Sequence, residues 1–486
     1  MTIVSTVPQE KSLLYEQVAE RISVMVSQGT FLSGDRLPSV RNLSQQFKVS
    51  KSTVMEAYSL LEDRGVVAVR PQSGYYVCQP ARNSLQESGV NLPVLRPTVV
   101  TTGELALMVF RDAADSRLIQ LGAAIPDLEN MPVDRLNRML STESRRYRQQ
   151  SLAYEMPAGC LRLRTQIARR MVTAGCSLSP DDIFVTNGCT EAVALALRAV
   201  CKQGDTVVLE SPTFFNTLQI IASLGLKALE IPAHPALGIN PDTLRFVLEQ
   251  NKVDACLLVT NFSNPLGYLM PDSAKAELVS LLARHDIPLI EDDIYGELAH
   301  DTRRPLVAKS FDSAGQVLLC SSFSKTIAPG YRVGWIVPGK FAPQVERLKA
   351  VTSLTSAVPP QLAIAEYLDN GGYEAHLRRL RRLYARQIAA LSQAVERHFP
   401  EGTRCSRPEG GFVLWVEMPE TVDSVILYEQ AREHGITFAP GPIFSAQPGK
   451  FRNYLRLSAA SWSDKVAEGV ELLGRLAKEA WLKTAR

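Results

Sequence analysis

The chain has 486 residues, of which 45% are hydrophobic and 21% are charged, and its formal net charge is +3. This length is enough for more than one packed core, and the small net charge gives the chain as a whole no electrostatic need for a nucleic acid or a membrane. The start MTIVSTVPQEK contains no apolar segment of the signal-peptide type, and no apolar run approaches the length that crosses a bilayer. We therefore expect a soluble, cytoplasmic protein with more than one domain and no membrane partner.

The eight cysteines and six histidines are scattered along the chain. No C-x-x-C pair occurs, and no cluster of histidines lies near a cysteine. This spacing predicts neither a zinc site nor a disulfide framework, and we expect no metal site.

The first eighty residues carry three helical patterns followed by a hairpin pattern. An amphipathic helix is predicted over 13–26, a second, short helix has Pro38 in its first turn, and a third follows the turn KVSKS and stops at Gly65. The alternating stretches VVAV and YYVC flank a turn at 71–74. The apolar positions expected to face inward on the second and third helices are Val40, Leu43, Phe47, Val54, Tyr58 and Leu61. This order of elements predicts a winged helix-turn-helix.

Basic residues and hydroxyls are concentrated around the predicted turn. The basic residues of the stretch 36–51, which has no acidic residue, are Arg36, Arg41, Lys48 and Lys51. The start of the third helix adds the hydroxyls of Ser50, Ser52 and Thr53. A solvated helical face would explain the basic residues alone, whereas the hairpin tip RPQSG directly downstream favours DNA contact, with cations on phosphates and the helix start on base edges.

The segment DRLPSVRNLSQQFKVSKSTVMEAYSLLEDRG resembles the reader domain of GntR-type bacterial regulators, over nearly all of residues 11–78. The resemblance implies that the arginine after the L-P-x-x motif, the first residues of the recognition helix and the wing tip touch double-stranded operator DNA. By position these are Arg41, Ser50, Lys51, Ser52, Thr53, Gln72 and Gly74. Lysine stands at 51 where that family often has an arginine.

The remainder of the chain follows a different pattern. Residues 79–117 lack clear periodicity and are predicted to link the DNA-binding domain, 1–78, to a second domain at 118–486. There, helical segments alternate with the apolar runs DIFVT, TVVLE, KALEI, DACLLVT, IPLIED, VLLCSS and VGWIV. This alternation predicts an α/β fold with a mainly parallel sheet covered by helices on both faces.

Polar residues follow these runs, at the carboxyl ends of strands where an open α/β sheet binds its ligand. They are Gly188, Cys189, Thr190, Phe214, Asn264, Asp292, Tyr295, Ser322, Ser324, Lys325 and Arg332. Each residue alone has an ordinary structural explanation, such as a helix cap for Asp292, a turn for Asn264 or a snorkelling side chain for Lys325. The set as a whole matches one ligand, pyridoxal phosphate, which combines an aldehyde, a phosphate, a phenol oxygen and a ring nitrogen.

Each part of that cofactor has a candidate partner. Lys325 would bond covalently to the aldehyde, and Asp292 would pair with the ring nitrogen. Asn264 and Tyr295 would bond the phenol oxygen, and Phe214 would stack on the ring. The groups expected to hold the phosphate are Ser322, Arg332 and the Gly188-Cys189-Thr190 turn.

Residues from about 120 to 480 resemble fold-type I aminotransferases of the aspartate aminotransferase superfamily. The motifs are SFSKTIAPGYRVGW, EDDIYGEL, NFSNPLG and LAYEMPAGCLRLRTQIARR. The resemblance implies a small subdomain at about 370–486 and a homodimer in which Tyr154 reaches the cofactor phosphate of the other subunit. It also implies that Arg456, in LRLS, binds a substrate or effector carboxylate, and we place Gly122 in the same site. Phe214 replaces a frequent tyrosine, and Cys189-Thr190 replaces a more usual Ser-Gln.

The fusion of both halves is similar to the MocR-type (GabR-like) branch of the GntR regulators. This resemblance implies a transcriptional regulator that senses an amino acid, an amine or the cofactor. Two alternatives stay open: a working aminotransferase with an accessory DNA-binding domain, and a DNA-binding protein whose large domain is a cofactor-free scaffold. The arginine-rich stretch HLRRLRRLYAR, residues 376–386, is expected to form a solvated helical face, with a second DNA contact as the alternative.

Overall fold

The computed structural model describes residues 13–27, 31, 35–70, 74–77, 95–100, 103–301 and 303–484. The chain forms two compact units, residues 1–82 and 83–486.

The first unit has the predicted order of helices and hairpin. Its elements are α1 (Leu14–Ser27), α2 (Val40–Phe47), α3 (Lys51–Asp63), β1 (Val67–Arg70) and β2 (Gly74–Val77). The two strands pair antiparallel. Val54, Tyr58 and Leu61 of α3 are fully buried, as their spacing predicts. Ser39 caps α2, so Pro38 lies just before the helix rather than in its first turn. The unit is a winged helix-turn-helix.

The second unit is an α/β structure. Its helices are α4 (Glu104–Asp112), α5 (Val133–Tyr147), α6 (Leu161–Met171), α7 (Cys189–Val200), α8 (Phe215–Ser223), α9 (Pro241–Gln250), α10 (Asp272–Arg284), α11 (Ala342–Thr352), α12 (Val358–Asp369), α13 (Gly372–His398), α14 (Ser424–Glu433) and α15 (Asp464–Thr484). Its strands are β3 (Thr98–Val99), β4 (Ile119–Gln120), β5 (Phe184–Thr186), β6 (Thr206–Ser211), β7 (Lys227–His234), β8 (Gly238–Ile239), β9 (Ala255–Leu258), β10 (Leu289–Asp292), β11 (Val317–Ser322), β12 (Gly334–Val337), β13 (Arg404–Cys405), β14 (Val413–Glu417), β15 (Ile436–Thr437), β16 (Ala439–Pro440) and β17 (Tyr454–Ser458).

The large sheet has the strand order β3-β7-β6-β9-β10-β11-β12-β5, with β8 paired to β7. The neighbours from β7 to β11 run parallel, whereas β12 runs antiparallel to both β11 and β5. Every residue of β6, β9 and β11 is buried, because helices cover both faces of the sheet. All seven apolar runs found in the sequence form strands of this sheet.

A smaller sheet, ordered β13-β14-β17-β16, packs with α13, α14 and α15 in the C-terminal part of the chain. The short strand β4 pairs parallel with β15, Ile119 opposite Ile436. The predicted small subdomain is therefore joined by a segment from the start of the second unit, which no local pattern at 119–120 indicates.

The predicted linker carries structure of its own wherever it is described. From residue 95 onward it contains β3, which pairs with β7, and α4, which buries Ala106 and Val109 in the main core. Asp112 at the end of α4 accepts hydrogen bonds from the Tyr428 hydroxyl at 2.7 Å and from Arg432 Nε at 2.8 Å. Helical periodicity does not predict α4, because its short sequence ELALMVFRD is apolar on nearly all sides. Residues 79–94 and 101–102 lie outside the described part of the chain.

Candidate functional site

Side chains from separate strand ends meet at one edge of the large sheet. Asp292 ends β10, and Lys325 follows β11 by three residues. Lys325 Nζ lies 5.8 Å from the centre of the Tyr295 ring, and Arg456 Nη1 donates to Asn264 Oδ1 at 3.2 Å. The structure thus brings these five residues together, although 192 positions separate Asn264 from Arg456.

Lys325 is partly buried, and its Nζ donates to the Ala124 carbonyl at 2.5 Å. Burial lowers the pKa of the Lys325 ammonium to about 8; the Arg456 guanidinium adds to this effect and Asp292 opposes it. A fraction of the side chain is therefore the neutral amine near physiological pH, which is the form that attacks an aldehyde. Ala124 takes part through its backbone alone, so no side-chain pattern could have identified it.

Asp292 Oδ1 accepts hydrogen bonds from the Cys189 thiol at 3.2 Å and from the Ile294 amide at 3.1 Å. Burial raises the pKa of the Asp292 carboxyl to about 6. A protonated ring nitrogen beside it would hold the carboxylate ionised. The side chain of Cys189 is thus directed at Asp292 rather than at a phosphate, and only the backbone N–H of this residue remains for the predicted anion site.

The predicted phosphate site combines a helix start with a guanidinium. Arg332 Nη2 donates to the Asn187 carbonyl at 3.0 Å, and its Nη1 donates to Ser324 Oγ at 3.3 Å. Ser322 Oγ in turn accepts from the Ser324 amide at 2.9 Å. None of these partners carries a charge, and no carboxylate pairs with Arg332 among the described residues. The start of α7 beside it has no side-chain cap, so its N–H groups and Arg332 together suit an anion.

Gly188 makes room for this arrangement. Its φ is +82°, and a Cβ at this position would collide with Arg332 Nη2. Thr190, the last residue of the predicted turn, is exposed at the start of α7. Only a glycine at 188 therefore leaves the guanidinium in its place.

Arg456 on β17 is 1% exposed. It donates to the carbonyl of Gly122 and to Asn264, and its Nε has no hydrogen-bond partner in the described structure. Burial lowers the pKa of the Arg456 guanidinium to about 10. Gly122 packs so closely that a Cβ there would lie 2.8 Å from the carbonyl carbon of Phe438. A ligand carboxylate would satisfy this buried cation with a paired set of hydrogen bonds.

The residues fit pyridoxal phosphate. Tyr295 is 2% exposed, and its hydroxyl has no hydrogen-bond partner among the described groups, which suits the predicted contact with a phenol oxygen. Phe214 precedes α8 as a partly buried ring, available for stacking. Gly188, which leaves space for Arg332 at the start of α7, completes the set of residues that fit the cofactor. Within the described ranges, no group of three or more histidines, cysteines, aspartates or glutamates could hold a metal ion.

Tyr154, the remaining predicted cofactor residue, is 84% exposed. Leu152 and Met156 beside it are 88% and 67% exposed. The Tyr154 ring thus faces solvent in the single chain, and its role at a partner's phosphate stays a prediction.

Four of the predicted DNA-contacting residues, 50–53, lie at the start of α3, whereas Arg41 lies on α2 and Gly74 on β2. Arg41, Lys51 and Ser52 are exposed. Ser50 caps α3: its Oγ accepts from the Thr53 amide at 3.1 Å and lies 2.7 Å from Ser52 Oγ. The Ser50 hydroxyl therefore caps the helix in addition to its predicted contact with DNA. Gly74 (φ +110°) lies beside Arg36, whereas Gln72 is outside the described residues.

The arginine-rich stretch at 376–386 is only partly a solvated face. His376 and Arg381 are buried, and Arg381 Nε donates to the Glu297 carbonyl at 2.8 Å. The residues of the stretch that face solvent are Arg378, Arg379, Arg382 and Arg386. Helical periodicity turns every third or fourth position inward, which a count of arginines alone does not reveal.

Two family profiles match the chain. "Aminotransferase class I and II" covers residues 117–471, and "Bacterial regulatory proteins, gntR family" covers residues 14–77. No helix in the described structure is long and apolar enough to cross a membrane.

Individual proteins match over most of the chain. The sequence is 40% identical to the uncharacterized HTH-type transcriptional regulator YjiR of Escherichia coli, over 95% of this chain and 98% of that one. It is 38% identical to the corresponding regulator YdcR of the same organism, over 96% and 99%. Among solved structures, the α-aminoadipate aminotransferase LysN of Thermus thermophilus, complexed with N-(5'-phosphopyridoxyl)-L-leucine, aligns with a TM-score of 0.72 and 27% identity, over 77% of this chain and 95% of that one.

Proposed function

The chain belongs to the class I and II aminotransferase family and, through residues 14–77, to the bacterial GntR regulatory family, and from this we propose that it is a pyridoxal phosphate-dependent transcriptional regulator. Its winged helix-turn-helix reads operator DNA, and its aminotransferase-like unit binds the cofactor and senses an amino acid, an amine or the cofactor itself. The names of its full-length relatives as HTH-type transcriptional regulators support this assignment.

One observation carries the sensor part of the proposal. Lys325, whose ammonium pKa is lowered to about 8, and Arg456, a buried guanidinium, converge with Asn264 on one site. Bound pyridoxal phosphate supplies an aldehyde that primary amines capture and a ring that draws electrons from the captured group. Arg456 would select ligands that present a carboxylate beside the amine. An amino acid is therefore the effector class that uses both residues.

The exposed segment around Tyr154 supports a homodimer. Leu152, Tyr154 and Met156 place three large side chains, each more than half exposed, within five positions. Burying such a patch against a second copy would remove apolar surface from water. In the proposed dimer Tyr154 reaches the phosphate of the neighbouring subunit, so that each site is completed by both chains.

Turnover is the second candidate function. Lys325 and Arg456 are also the residues that an aminotransferase needs, as proton carrier and carboxylate anchor. The structural likeness to LysN supports this reading for the large unit, and the DNA-reading unit favours regulation. The two functions differ in whether amino groups are transferred to keto acids at a useful rate.

The test combines cofactor and DNA binding on the purified full-length chain. We expect added pyridoxal phosphate to produce a near-visible absorption band that the Lys325→Ala variant lacks, and one or more amino acids to shift that band. The same amino acids should change the affinity for DNA from the region upstream of the gene. A wild-type protein that develops no band with excess cofactor would refute the sensor.

A matched variant separates the two units. Lys51→Gln removes a phosphate-binding cation from α3, so DNA affinity and its salt dependence should fall while the absorption band stays unchanged. Rapid amino transfer between common amino acids and keto acids, with DNA affinity indifferent to every amino acid, would instead favour the aminotransferase.

A further inference from the structure

Thr326, the residue directly after Lys325, is held by two side chains of α13. The Tyr373 hydroxyl donates to Thr326 Oγ1 at 2.9 Å, and His376 Nε2 lies 2.7 Å from the Thr326 carbonyl oxygen. Thr326, Tyr373 and His376 are 2%, 1% and 7% exposed, so neither bond competes with water. Thr326, one residue past Lys325, is thus fixed at both its side chain and its own carbonyl.

The proton on His376 can be placed from its neighbours. Arg379 Nη2 lies 3.3 Å from His376 Nδ1, and a guanidinium only donates, so Nδ1 must be the acceptor. The ring proton therefore sits on Nε2 and is donated to the Thr326 carbonyl. Burial lowers the pKa of His376 to about 4, which keeps this neutral tautomer in place at physiological pH.

The same helix also contacts the segment that contains the acceptor of the lysine. Arg379 Nη2 donates to the Asn130 carbonyl, in the segment 122–130. In that segment the Ala124 carbonyl accepts the hydrogen bond from Lys325 Nζ at 2.5 Å. One face of α13 therefore bonds the residue after the lysine and also the far end of the segment that receives its amino group.

We propose that Tyr373, His376 and Arg379 are positioning residues for Lys325, which hold its Nζ where an aldehyde carbon can be attacked. None of the three belongs to the predicted cofactor-binding set. That the aldehyde is pyridoxal phosphate rests on the proposed function, whereas the positioning of Lys325 Nζ concerns the chain's own geometry. The experiment therefore measures Lys325 first without any cofactor.

The probe is acetylation of Lys325 by acetic anhydride in the cofactor-free full-length protein, quantified by mass spectrometry across a pH series that brackets the lowered pKa of Lys325. In the wild type the rate should rise with a midpoint of about 8. Tyr373→Phe and His376→Ala release Thr326, the residue after the lysine, so Nζ gains solvent and the midpoint should rise by about one pH unit, a tenfold loss of free amine at a given pH. The charged and titratable groups around Lys325 stay the same in every variant: Arg456, Asp292, Cys189, Arg332 and Tyr295.

Two control variants separate positioning from packing. Tyr384→Phe removes a buried hydroxyl from the same helix, one that has no partner in the described structure, and should leave the midpoint at its wild-type value. His376→Gln keeps an N–H donor and should restore the midpoint that His376→Ala loses. If His376→Ala fails to fold, Tyr373→Phe, which retains its ring, still decides the question.

A melting temperature that falls while the Lys325 midpoint stays at the wild-type value would overturn the proposal, because α13 would then support the fold alone. An equal shift in Tyr384→Phe would overturn it as well. Titration with pyridoxal phosphate is the second readout, with about tenfold weaker binding expected for Tyr373→Phe and His376→Ala. A raised acetylation midpoint in a protein that binds no cofactor would support the positioning and refute the proposed cofactor.

Discussion

Gly188 shows how a missing side chain makes room for a guanidinium at the predicted anion site. The residue adopts φ +82° between β5 and α7, and the Arg332 guanidinium occupies the space where a Cβ would stand. The α7 amides and the guanidinium thereby face the same volume. The neighbouring Gly330 is different, because nothing lies within 4 Å of the position its Cβ would take.

We predict that Gly188→Ala weakens pyridoxal phosphate binding by at least about tenfold, since the methyl group displaces Arg332 and strains the backbone. The dissociation constant would be measured by absorption titration. Gly330→Ala, in the turn before Arg332, is the matched control and should bind like the wild type. Equal affinities for the two variants would contradict the assignment of Arg332 and the α7 start to the phosphate.

Glu210, near the end of β6, is a second residue whose burial has a measurable effect, here on the pH dependence of stability. It is fully buried, and the Tyr268 hydroxyl donates to one of its oxygens, whereas the other has no partner among the described groups. Burial raises the pKa of the Glu210 carboxyl to about 8, against the Tyr268 bond, which lowers it. In the unfolded chain this carboxyl has its ordinary pKa of 4.5, so the native state is favoured at low pH and loses that advantage as pH rises to about 8.

Glu210→Gln should therefore flatten the pH dependence of stability. We expect the wild type to lose on the order of 1–4 kcal/mol of unfolding free energy between acidic and mildly alkaline pH through this group, and the variant to lose less. Thermal midpoints recorded over a pH series would measure the difference. Glu249→Gln, on the exposed face of α9, is the control, and parallel curves for wild type and Glu210→Gln would refute the ionisation argument.

At the scale of elements, α3 depends on the cap at its N-terminus. Ser50 Oγ accepts a hydrogen bond from the Thr53 amide at 3.1 Å. Ser59 lies in the middle of the same helix and is exposed to solvent. A cap satisfies one of the N–H groups that a helix start leaves without partners. The end of α3 that is proposed to meet DNA is therefore ordered by its own first hydroxyl.

Ser50→Ala should destabilise this helix start by about 1 kcal/mol, whereas Ser59→Ala should cost nothing or stabilise slightly. Hydrogen exchange of the Thr53 and Val54 amides in the full-length protein would report the local effect. Faster exchange confined to Ser50→Ala is the expected result. Identical exchange in both variants would mean that the cap contributes no stability.

Elements also divide what the sequence predicts from what it does not. Strands such as β6, β9 and β11 were predictable because both of their faces are buried, so their sequences are unbroken apolar runs. Because the apolar runs mark where these strands end, they also located the candidate cofactor residues, which follow directly after the runs. By contrast β4 has two residues and owes its existence to β15, more than three hundred positions away, and the Ala124 carbonyl leaves no trace in the sequence. Thr190, exposed on α7, and Cys189, turned to Asp292, show that side-chain direction within a motif needs the structure.

For the whole molecule, the exposed segment at 152–156 is the surface that the proposed homodimer would bury. Leu152 is 88% and Tyr154 84% exposed, on the unit that contains the predicted cofactor residues. Val351 on α11 is exposed to a similar degree, 80%, and offers a comparison elsewhere on the same unit. Single exposed apolar residues are common, whereas several within one short segment mark an interaction surface.

Leu152→Asp should shift the proposed homodimer towards monomers, because a carboxylate would be buried without a partner. Sedimentation velocity would measure the shift, and we expect dimer affinity to fall by at least about tenfold. Cofactor affinity should fall in parallel, since Tyr154 would leave the neighbouring site. Val351→Asp should change neither quantity, and a Leu152→Asp protein that sediments like the wild type would place the interface elsewhere.

The backbone carbonyls of Gly122 and Ala124 already occupy the two cations that a ligand would use. An incoming carboxylate that binds Nη2 of Arg456 competes with Gly122, and an incoming aldehyde would draw Lys325 away from Ala124. Ligand binding then exchanges one set of partners for another. The net affinity is the difference between the bonds to the ligand and the bonds to the two backbone carbonyls. A neutral amine without a carboxylate leaves the Gly122 bond intact, whereas an amino acid whose carboxylate takes Nη2 breaks both bonds. The stretch of backbone between Gly122 and Ala124 is then freed by one class of ligand and retained by the other.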